Sequence, residues 1–160
     1  MKYRSTFIIF FIILLSQLTV AQQQESRKNI TAYDSLSAKK LGADDYGMKK
    51  YVMAFLKSGP TKLTDPAKRA ELQRAHLKNI IRLANEGSLI LAGPFLDNQE
   101  LRGIFLFNVE TVEEAKALAG TDPAVKAGTL VLEMHPWYGS AALMEIPELH
   151  LKLEKTKIAE

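Results

Sequence analysis

The chain of 160 residues contains no cysteine, and several other carriers of enzyme chemistry are missing as well. Without cysteine, disulfides, iron–sulfur clusters, thiolate zinc sites and cysteine nucleophiles are excluded. The sequence also lacks a glycine-rich phosphate loop, a GxSxG nucleophile elbow and a dinucleotide-binding fingerprint. Its three histidines, His76, His135 and His150, show neither HxH nor HExxH spacing. We therefore predict no metal site and no cofactor.

The first residues have the layout of a secretory signal peptide. Lys2 and Arg4 precede an apolar run at residues 7–15, and Ala21 offers a small-residue cleavage site. We therefore predict a signal peptide at residues 1–21, export to the periplasm or the cell exterior, and no stable membrane anchor after cleavage. The alternative is that the segment is retained as an N-terminal anchor, although the apolar run is short for a membrane span.

The charge balance gives no indication of nucleic acid or membrane binding. The whole chain has 21 basic and 18 acidic residues, but two of the basic residues lie within the predicted signal peptide. The exported part therefore carries 19 basic against 18 acidic residues, which is close to neutral. A nearly neutral domain offers no electrostatic case for binding nucleic acid or an anionic membrane.

The composition divides the exported part into a polar leader, one folded domain and a tail. Residues 22–47 are polar and aperiodic, which is typical of a flexible leader. We predict the folded domain at residues 48–143 and a C-terminal tail at residues 144–160. The predicted elements of the domain, in chain order, are a strand at 50–56, a helix from Asp65 to Gly87, strands at 89–92 and 103–109, a helix from Thr111 to Ala119 and a strand at 129–134.

The order of these elements is βαββαβ, the pattern of a ferredoxin-like α+β domain with a four-stranded antiparallel sheet and two helices on one face. The strands at 50–56 and 103–109 are apolar at consecutive positions, so both of their faces require burial. Two helices cover one face, and we predict that a second copy of the chain covers the other, which makes the protein a homodimer. The alternative is that the segment from Met144 to Glu160 covers this face. Its leucines alternate with polar residues, a pattern that is also compatible with an added strand at the edge of the sheet.

Short motifs follow one another along the folded domain in a characteristic order. They are KYVMAFLKSGP at 50–60, RAHL at 74–77, EGSLILAGP at 86–94, Gly103, EEA at 113–115, DP at 122–123, AG at 127–128 and HPW at 135–137. Together they resemble the YCII (YciI-like) family from Met48 to Trp137. Two departures are the predicted signal peptide, since most relatives are cytoplasmic, and a short loop between Phe95 and Leu101.

The resemblance implies a dimeric α+β barrel with a pocket where the first helix meets the sheet. It also implies a His–Asp dyad, which falls on His76 and Asp122, and some members of the family act on small hydroxylated aromatic or lactone compounds. An imidazole beside a carboxylate can move a proton near neutral pH. The alternatives are a core-edge histidine bonded to the backbone and an aspartate that only caps a turn. The candidate substrate-binding residues are Gly93, Pro94, Phe55, Leu91 and Phe105, where Gly93 and Pro94 can equally be a strand-end turn.

Two functions from different classes follow from these residues. The first is a cofactor-independent enzyme of the lyase or isomerase type, in which His76 is the general acid or base and Asp122 orients it on a small cyclic compound of phenolic or lactone character. The second is a non-catalytic small-ligand-binding or stress-related module. The lack of any nucleophile, metal or cofactor motif is the observation behind the second function.

Overall fold

The computed structural model describes residues 32–97 and 99–158. The predicted signal peptide at residues 1–21 and the first part of the predicted leader lie outside the described residues. Within the described ranges, no helix is both long enough and apolar enough to cross a bilayer.

The chain divides into two units, Met1–Leu36 and Ser37–Glu160. The second unit contains the whole sheet and the helices that pack on it. A helix at Ser35–Leu41 falls inside the segment predicted as a leader at 22–47. Sequence reasoning does not place a helix there, because the segment lacks the apolar periodicity that marks a packed helix.

The element order confirms the predicted βαββαβ pattern, with short helices added at both ends and before the last strand. The elements are α1 (Ser35–Leu41), β1 (Met48–Ser58), α2 (Pro66–Asn85), β2 (Leu89–Pro94), β3 (Leu101–Phe107), α3 (Val112–Ala119), α4 (Pro123–Lys126), β4 (Leu130–Ser140), a 3-10 helix (Ala141–Glu145) and α5 (Ile146–Leu153). The four strands form one sheet in the order β2-β3-β1-β4, and every neighbouring pair is antiparallel.

The long helix α2 begins and ends on the residues that the sequence indicates. Asp65 is its N-cap, and the side chain accepts hydrogen bonds from the backbone N–H groups of Ala67 and Lys68. Pro66 occupies the first helical turn, where the missing N–H of proline has no intrahelical partner to lose. The helix stops just before Gly87, whose φ of +71° lies in the left-handed region that favours glycine.

Both α2 and α3 pack on the same face of the sheet, which we call the helix face. Leu83 of α2 and Ala115 and Ala119 of α3 belong to one buried cluster. The strand residues of this cluster come from alternate positions of β1 and β3, as one face of a pleated sheet requires. They are Val52, Ala54, Leu56, Phe105 and Phe107. The α+β, ferredoxin-like fold is therefore confirmed.

The other face of the sheet, which we call the open face, is partly covered by the chain itself. Leu143 and Met144 pack against three residues that are buried there, Tyr51, Ile90 and Leu106. The part of the open face formed by β4 is more accessible, and it exposes the side chains of Val131 and Trp137. The end of the chain thus supplies some of the cover that the sequence analysis assigned to a second copy, with the tail as the alternative.

The C-terminal tail forms a helix. Its described residues do not form the added edge strand with which the alternating leucines were compatible. Pro147 lies in the first turn of α5, a position that suits proline because its fixed φ is already helical. The leucines of the helix, Leu149, Leu151 and Leu153, are exposed, so the alternation does not mark a buried strand face.

The strand β4 is longer than the predicted strand at 129–134, so the predicted C-terminal end of this strand is wrong. The strand runs from Leu130 to Ser140, and Pro136 pairs with Val52 inside it. Proline interrupts a central strand because it cannot donate to the ladder, but β4 is the last strand of the sheet. On an edge strand only one side carries a partner, so the missing N–H is tolerated.

Candidate functional site

His76 lies on the side of α2 that faces the sheet. The buried residues of this helix, His76, Asn79 and Leu83, follow the helical spacing i, i+3 and i+7. Only 8% of His76 is exposed. Its ring stacks on Phe105 of β3, with 6.1 Å between the ring centroids and 23° between the planes. The aromatic contact and the helix together hold the imidazole at the junction of α2 and the sheet.

Asp122 is fully buried and forms the N-cap of α4, directly before Pro123. One carboxylate oxygen, Oδ1, accepts a hydrogen bond of 2.8 Å from the backbone N–H of Ala124. The other oxygen, Oδ2, lies 2.7 Å from Nδ1 of His76. The sequence left open whether Asp122 caps a turn or orients a histidine, and in the structure each oxygen serves one of these purposes.

The bond between His76 and Asp122 decides which ring nitrogen can exchange a proton with a ligand. A carboxylate only accepts, so Nδ1 carries the proton and Nε2 of the neutral ring carries the free electron pair. The same carboxylate stabilises the imidazolium that forms when Nε2 takes up a proton. Hydrogen bonds of this charge-assisted type are stronger than neutral ones. A buried pair in this arrangement has the chemistry that a general acid or base requires.

A polar cluster that the sequence analysis missed adjoins this pair. Nη2 of Arg82 donates to Oδ1 of Asn79 and to Oγ1 of Thr121, both over 2.9 Å. Asn79 follows His76 by three residues on the buried side of α2, and Thr121 immediately precedes Asp122. A signal existed in the sequence, because asparagine one turn after a candidate catalytic histidine interrupts the apolar side of an amphipathic helix.

Two of the predicted substrate-binding residues belong to the same face of the sheet as His76. Phe105 contacts the imidazole directly. Pro94 pairs with Gly103, which is two residues from Phe105 in β3 and therefore on the same face. Pro94 is exposed, so it lies at the rim of the helix face rather than in the core.

Phe55 lies on the open face, away from His76. Its partner in β3 is Ile104, and the next residue of that strand, Phe105, points to the helix face. The ring of Phe55 instead makes an edge contact with His135, with 5.9 Å between the ring centroids. The run of consecutive apolar residues in β1 conceals which of them faces the helices, so the sequence did not separate the two sides.

Leu91 and Gly93 also belong to the open face. Leu89 pairs with Phe107 on the helix face, and simple alternation would place Leu91 there as well. A shift in the register between Leu89 and Leu91 reverses which residues of the strand face the helices. Leu91 therefore packs in the cluster on the open face. Gly93 follows in the new register. Within one chain, Phe105 and Pro94 therefore lie on the same face as His76. The other three predicted residues, Phe55, Leu91 and Gly93, lie on the opposite face.

An open hollow of about 270 Å³ lies along the first half of α2. Leu72 is one turn before His76, Ala75 is its direct neighbour, and Ala127 ends the turn that Asp122 begins. A hollow of this size is slightly smaller than the pockets that usually bind small molecules, which start at about 300 Å³. The complete lining is Leu63, Lys68, Glu71, Leu72, Ala75 and Ala127.

A second group of charged residues lies on the open face, and we call Lys57, Glu133 and His135 the open-face cluster. Glu133 accepts a hydrogen bond of 2.6 Å from Nζ of Lys57 and lies 2.9 Å from Nε2 of His135. The hydrogen bond from Lys57 is the largest cause that lowers the pKa of Glu133, followed by the one from His135. Across the described residues, no group of three histidine or carboxylate side chains is placed to hold a metal ion.

Comparison with known proteins was made with the sequence and with the structure. The family model of the YCII-related domain matches residues 50–138, which is more than half of the chain. No curated protein matches the sequence. Among solved structures, the chain is similar to the 5-chloro-2-hydroxyhydroquinone dehydrochlorinase of Burkholderia phenoliruptrix AC1100, solved with 2,5-dihydroxybenzoquinone. The match has 20% identity and a TM-score of 0.41, and it covers 56% of this chain and 93% of that one.

Proposed function

Because the chain belongs to the YCII-related domain family, we propose that it is an exported, homodimeric enzyme that needs no cofactor and acts on a small cyclic compound of phenolic or lactone type. His76 is its general acid or base, and Asp122 orients the imidazole. The single observation that carries this proposal is the buried bond of 2.7 Å between Nδ1 of His76 and Oδ2 of Asp122. Export is supported by the signal-peptide pattern of residues 1–21.

The proposed reaction is a proton transfer on a bound ring. Nε2 of His76 takes a proton from a hydroxyl or carbon of the ligand, and the electron pair left behind moves into the ring or onto its oxygen. Asp122 stabilises the imidazolium, which then returns the proton at another position or to a leaving group. Such a transfer by one positioned side chain accelerates a reaction by about 10²–10⁴-fold. Phe105, stacked on the imidazole, supplies an apolar surface beside the reacting atoms.

Homodimer formation is supported by the open face. Trp137 and Val131 are 36% and 42% exposed on β4, although side chains of this type are normally removed from water in a folded domain. The C-terminal region covers the opposite part of this face through Leu143 and Met144. A second copy that packs on β4 would complete the cover.

A non-catalytic module is the second candidate, since the sequence contains no motif for a nucleophile, a metal or a cofactor. In that function the same pair of residues would bind a small ligand through a hydrogen bond and would not turn it over.

A screen of phenolic and lactone compounds against three proteins tests the proposal. We expect the wild type to convert at least one compound, and His76→Ala to lose about 10²–10⁴-fold in turnover because the proton acceptor is gone. His135→Ala is the matched control, since His135 is also bonded to a carboxylate but is half exposed on the open face. Turnover is followed by absorbance or mass of the products.

Each outcome of the screen has a clear meaning. Turnover that survives in His76→Ala removes the proposed mechanism. Binding without turnover in the wild type, with only a modest change of affinity in His76→Ala, favours the non-catalytic module. Equal losses in His76→Ala and His135→Ala would mean that burial of the pair has no bearing on the activity.

A further inference from the structure

Asn79 has a polar group that the fold leaves unused. The residue is 8% exposed, and its Nδ2 is the one buried side-chain nitrogen or oxygen among the described residues without a hydrogen-bond partner. Buried polar groups in proteins are almost always paired, because an N–H removed from water without an acceptor costs free energy. An unpaired amide in a folded domain therefore calls for a partner that is not part of the chain.

The orientation of the Asn79 amide is determined by its neighbours. Oδ1 accepts from Nη2 of Arg82 over 2.9 Å, and Nη1 of the same guanidinium is held by both carboxylate oxygens of Glu86 at 2.8 Å. The hydroxyl of Thr121 lies 3.1 Å from the same Oδ1 and 2.6 Å from the carbonyl oxygen of Leu118, so its single proton is shared between two acceptors. A reversed amide would bring Nδ2 against a guanidinium that can only donate. The two N–H groups of Asn79 must therefore point away from Arg82.

Asn79 itself lies next to the dyad. Asn79 is on the same buried side of α2 as His76, one turn further along the helix. Its partner Thr121 is the residue before Asp122, so both residues of the dyad have a direct neighbour in this cluster. A small ligand held against Nε2 of His76 would come within one helical turn of a donor whose direction is already fixed.

We infer that Asn79 is a ligand-binding residue, whose Nδ2 donates a hydrogen bond to an oxygen atom of the compound that His76 serves. The inference rests on the proposed function and narrows its substrate class. The ligand must carry a phenolic, carbonyl or enolate oxygen within about one helical turn, ~5.4 Å, of the proton that is transferred.

The chemistry of the site gives this donor a purpose. When Nε2 of His76 removes a proton from a phenol or from a carbon beside a carbonyl, the electron pair is left on the oxygen as phenolate or enolate. A donor whose orientation is set before the reaction stabilises this charge more effectively than a donor that must first turn. The clamp of Arg82 and Glu86 on Asn79 provides this fixed orientation.

Binding of two matched probes tests the inference. 4-Nitrophenol carries a phenolic oxygen, and 4-nitrotoluene has the same shape with a methyl group in its place. We expect the wild type to bind 4-nitrophenol more tightly, and Asn79→Asp to lose at least about tenfold of that affinity while its affinity for 4-nitrotoluene stays unchanged. Titration calorimetry measures both constants, and the absorbance of bound 4-nitrophenol reports its ionisation.

Asn79→Asp removes the donor with the smallest possible change of side-chain shape. Aspartate retains the oxygen that accepts from Arg82 and places a second oxygen, which can only accept, where the N–H groups were. Gln73→Glu is the matched control, because it makes the same amide-to-acid change on an exposed position of α2. Thermal unfolding of all variants shows that each is folded.

The outcomes separate this inference from the proposed function. If the wild type prefers 4-nitrophenol and Asn79→Asp binds it equally well, while His76→Ala does not, the inference is overturned and the dyad stands. If the wild type does not distinguish 4-nitrophenol from 4-nitrotoluene, the phenolic substrate class fails and the role of Asn79 fails with it. Loss of the preference in Asn79→Asp alone, with Gln73→Glu unaffected, supports the inference.

Discussion

The two faces of the sheet each hold a histidine beside a carboxylate, and the two pairs differ mainly in burial. On the helix face, His76 and Asp122 are 2.7 Å apart with side chains 11% and 1% exposed. On the open face, His135 and Glu133 are 2.9 Å apart with side chains 52% and 48% exposed. Water competes for the exposed pair and screens it, whereas the buried pair has no alternative partner. Similar distances therefore do not imply similar chemistry.

The pairs also differ in what they connect. His135 and Glu133 are two residues apart on one strand, so their contact follows from the alternation of β4 alone. His76 and Asp122 are 46 residues apart, and their contact joins α2 to the start of α4. Removal of the buried pair should therefore affect folding as well as chemistry, while removal of the exposed pair should affect neither strongly.

The largest expected effect on stability is from Asp122→Ala. The change deletes the N-cap of α4 and the buried acceptor of His76, and we expect the free energy of unfolding to fall by about 2–4 kcal/mol. Urea unfolding measures the loss. Glu133→Ala is the control and should leave the midpoint close to that of the wild type. Equal shifts in both variants would show that burial does not distinguish the two pairs.

A smaller effect is expected at the open face, on association. If a second copy covers β4, Trp137→Glu should raise the dissociation constant of the dimer at least about tenfold, because an apolar contact is replaced by a charge. Sedimentation or light scattering over a dilution series measures the constant. Leu96→Glu is the control, since Leu96 is 92% exposed in a loop. A wild type that remains monomeric at every concentration contradicts the proposed homodimer.

The smallest expected effect is a pH dependence from the open-face cluster. Lys57 and His135 hold the pKa of Glu133 below its ordinary value of 4.5. A pKa that is lower in the folded state stabilises the fold above the unfolded-state pKa, and this contribution disappears as pH falls through the folded-state pKa. The thermal midpoint of Glu133→Gln should therefore lie below that of the wild type near neutral pH and converge with it in acid.

The control for this titration is Glu71→Gln, which removes an exposed carboxylate from the first half of α2. Its midpoint should follow that of the wild type at every pH. A gap between wild type and Glu133→Gln that widens in acid would contradict the sign of the pKa shift.

Much of the fold could be predicted because its signals are local. Asp65 and Pro66 mark the start of α2, and Thr111 forms with Glu114 the capping box that begins α3. The apolar runs predict the strands and their order. The end of β4 was mispredicted, because Pro136 stops a strand or not according to whether the strand lies at an edge, and that depends on the whole sheet.

The candidate site was predictable only in part. His76 and Asp122 were identified through the resemblance to a family, since nothing in their local sequences indicates that they meet. Asn79 was missed, because an asparagine on a helix gives no sign of whether its amide is paired. Its relevance appears only when Arg82 and Thr121 are seen to occupy one end of the amide and leave the other end free.

The sequence by itself determined the two helices that pack on the sheet, the four strands and their antiparallel order, because caps and periodicity act between residues a few positions apart. Only the tertiary structure decided which residues share a face. The register shift between Leu89 and Leu91 placed two predicted wall residues, Leu91 and Gly93, on the face away from His76. The uniformly apolar β1 concealed the same fact for Phe55. The physical reason is that successive side chains of a strand point to opposite faces of the sheet. One extra residue in a paired strand therefore moves every later side chain to the other face.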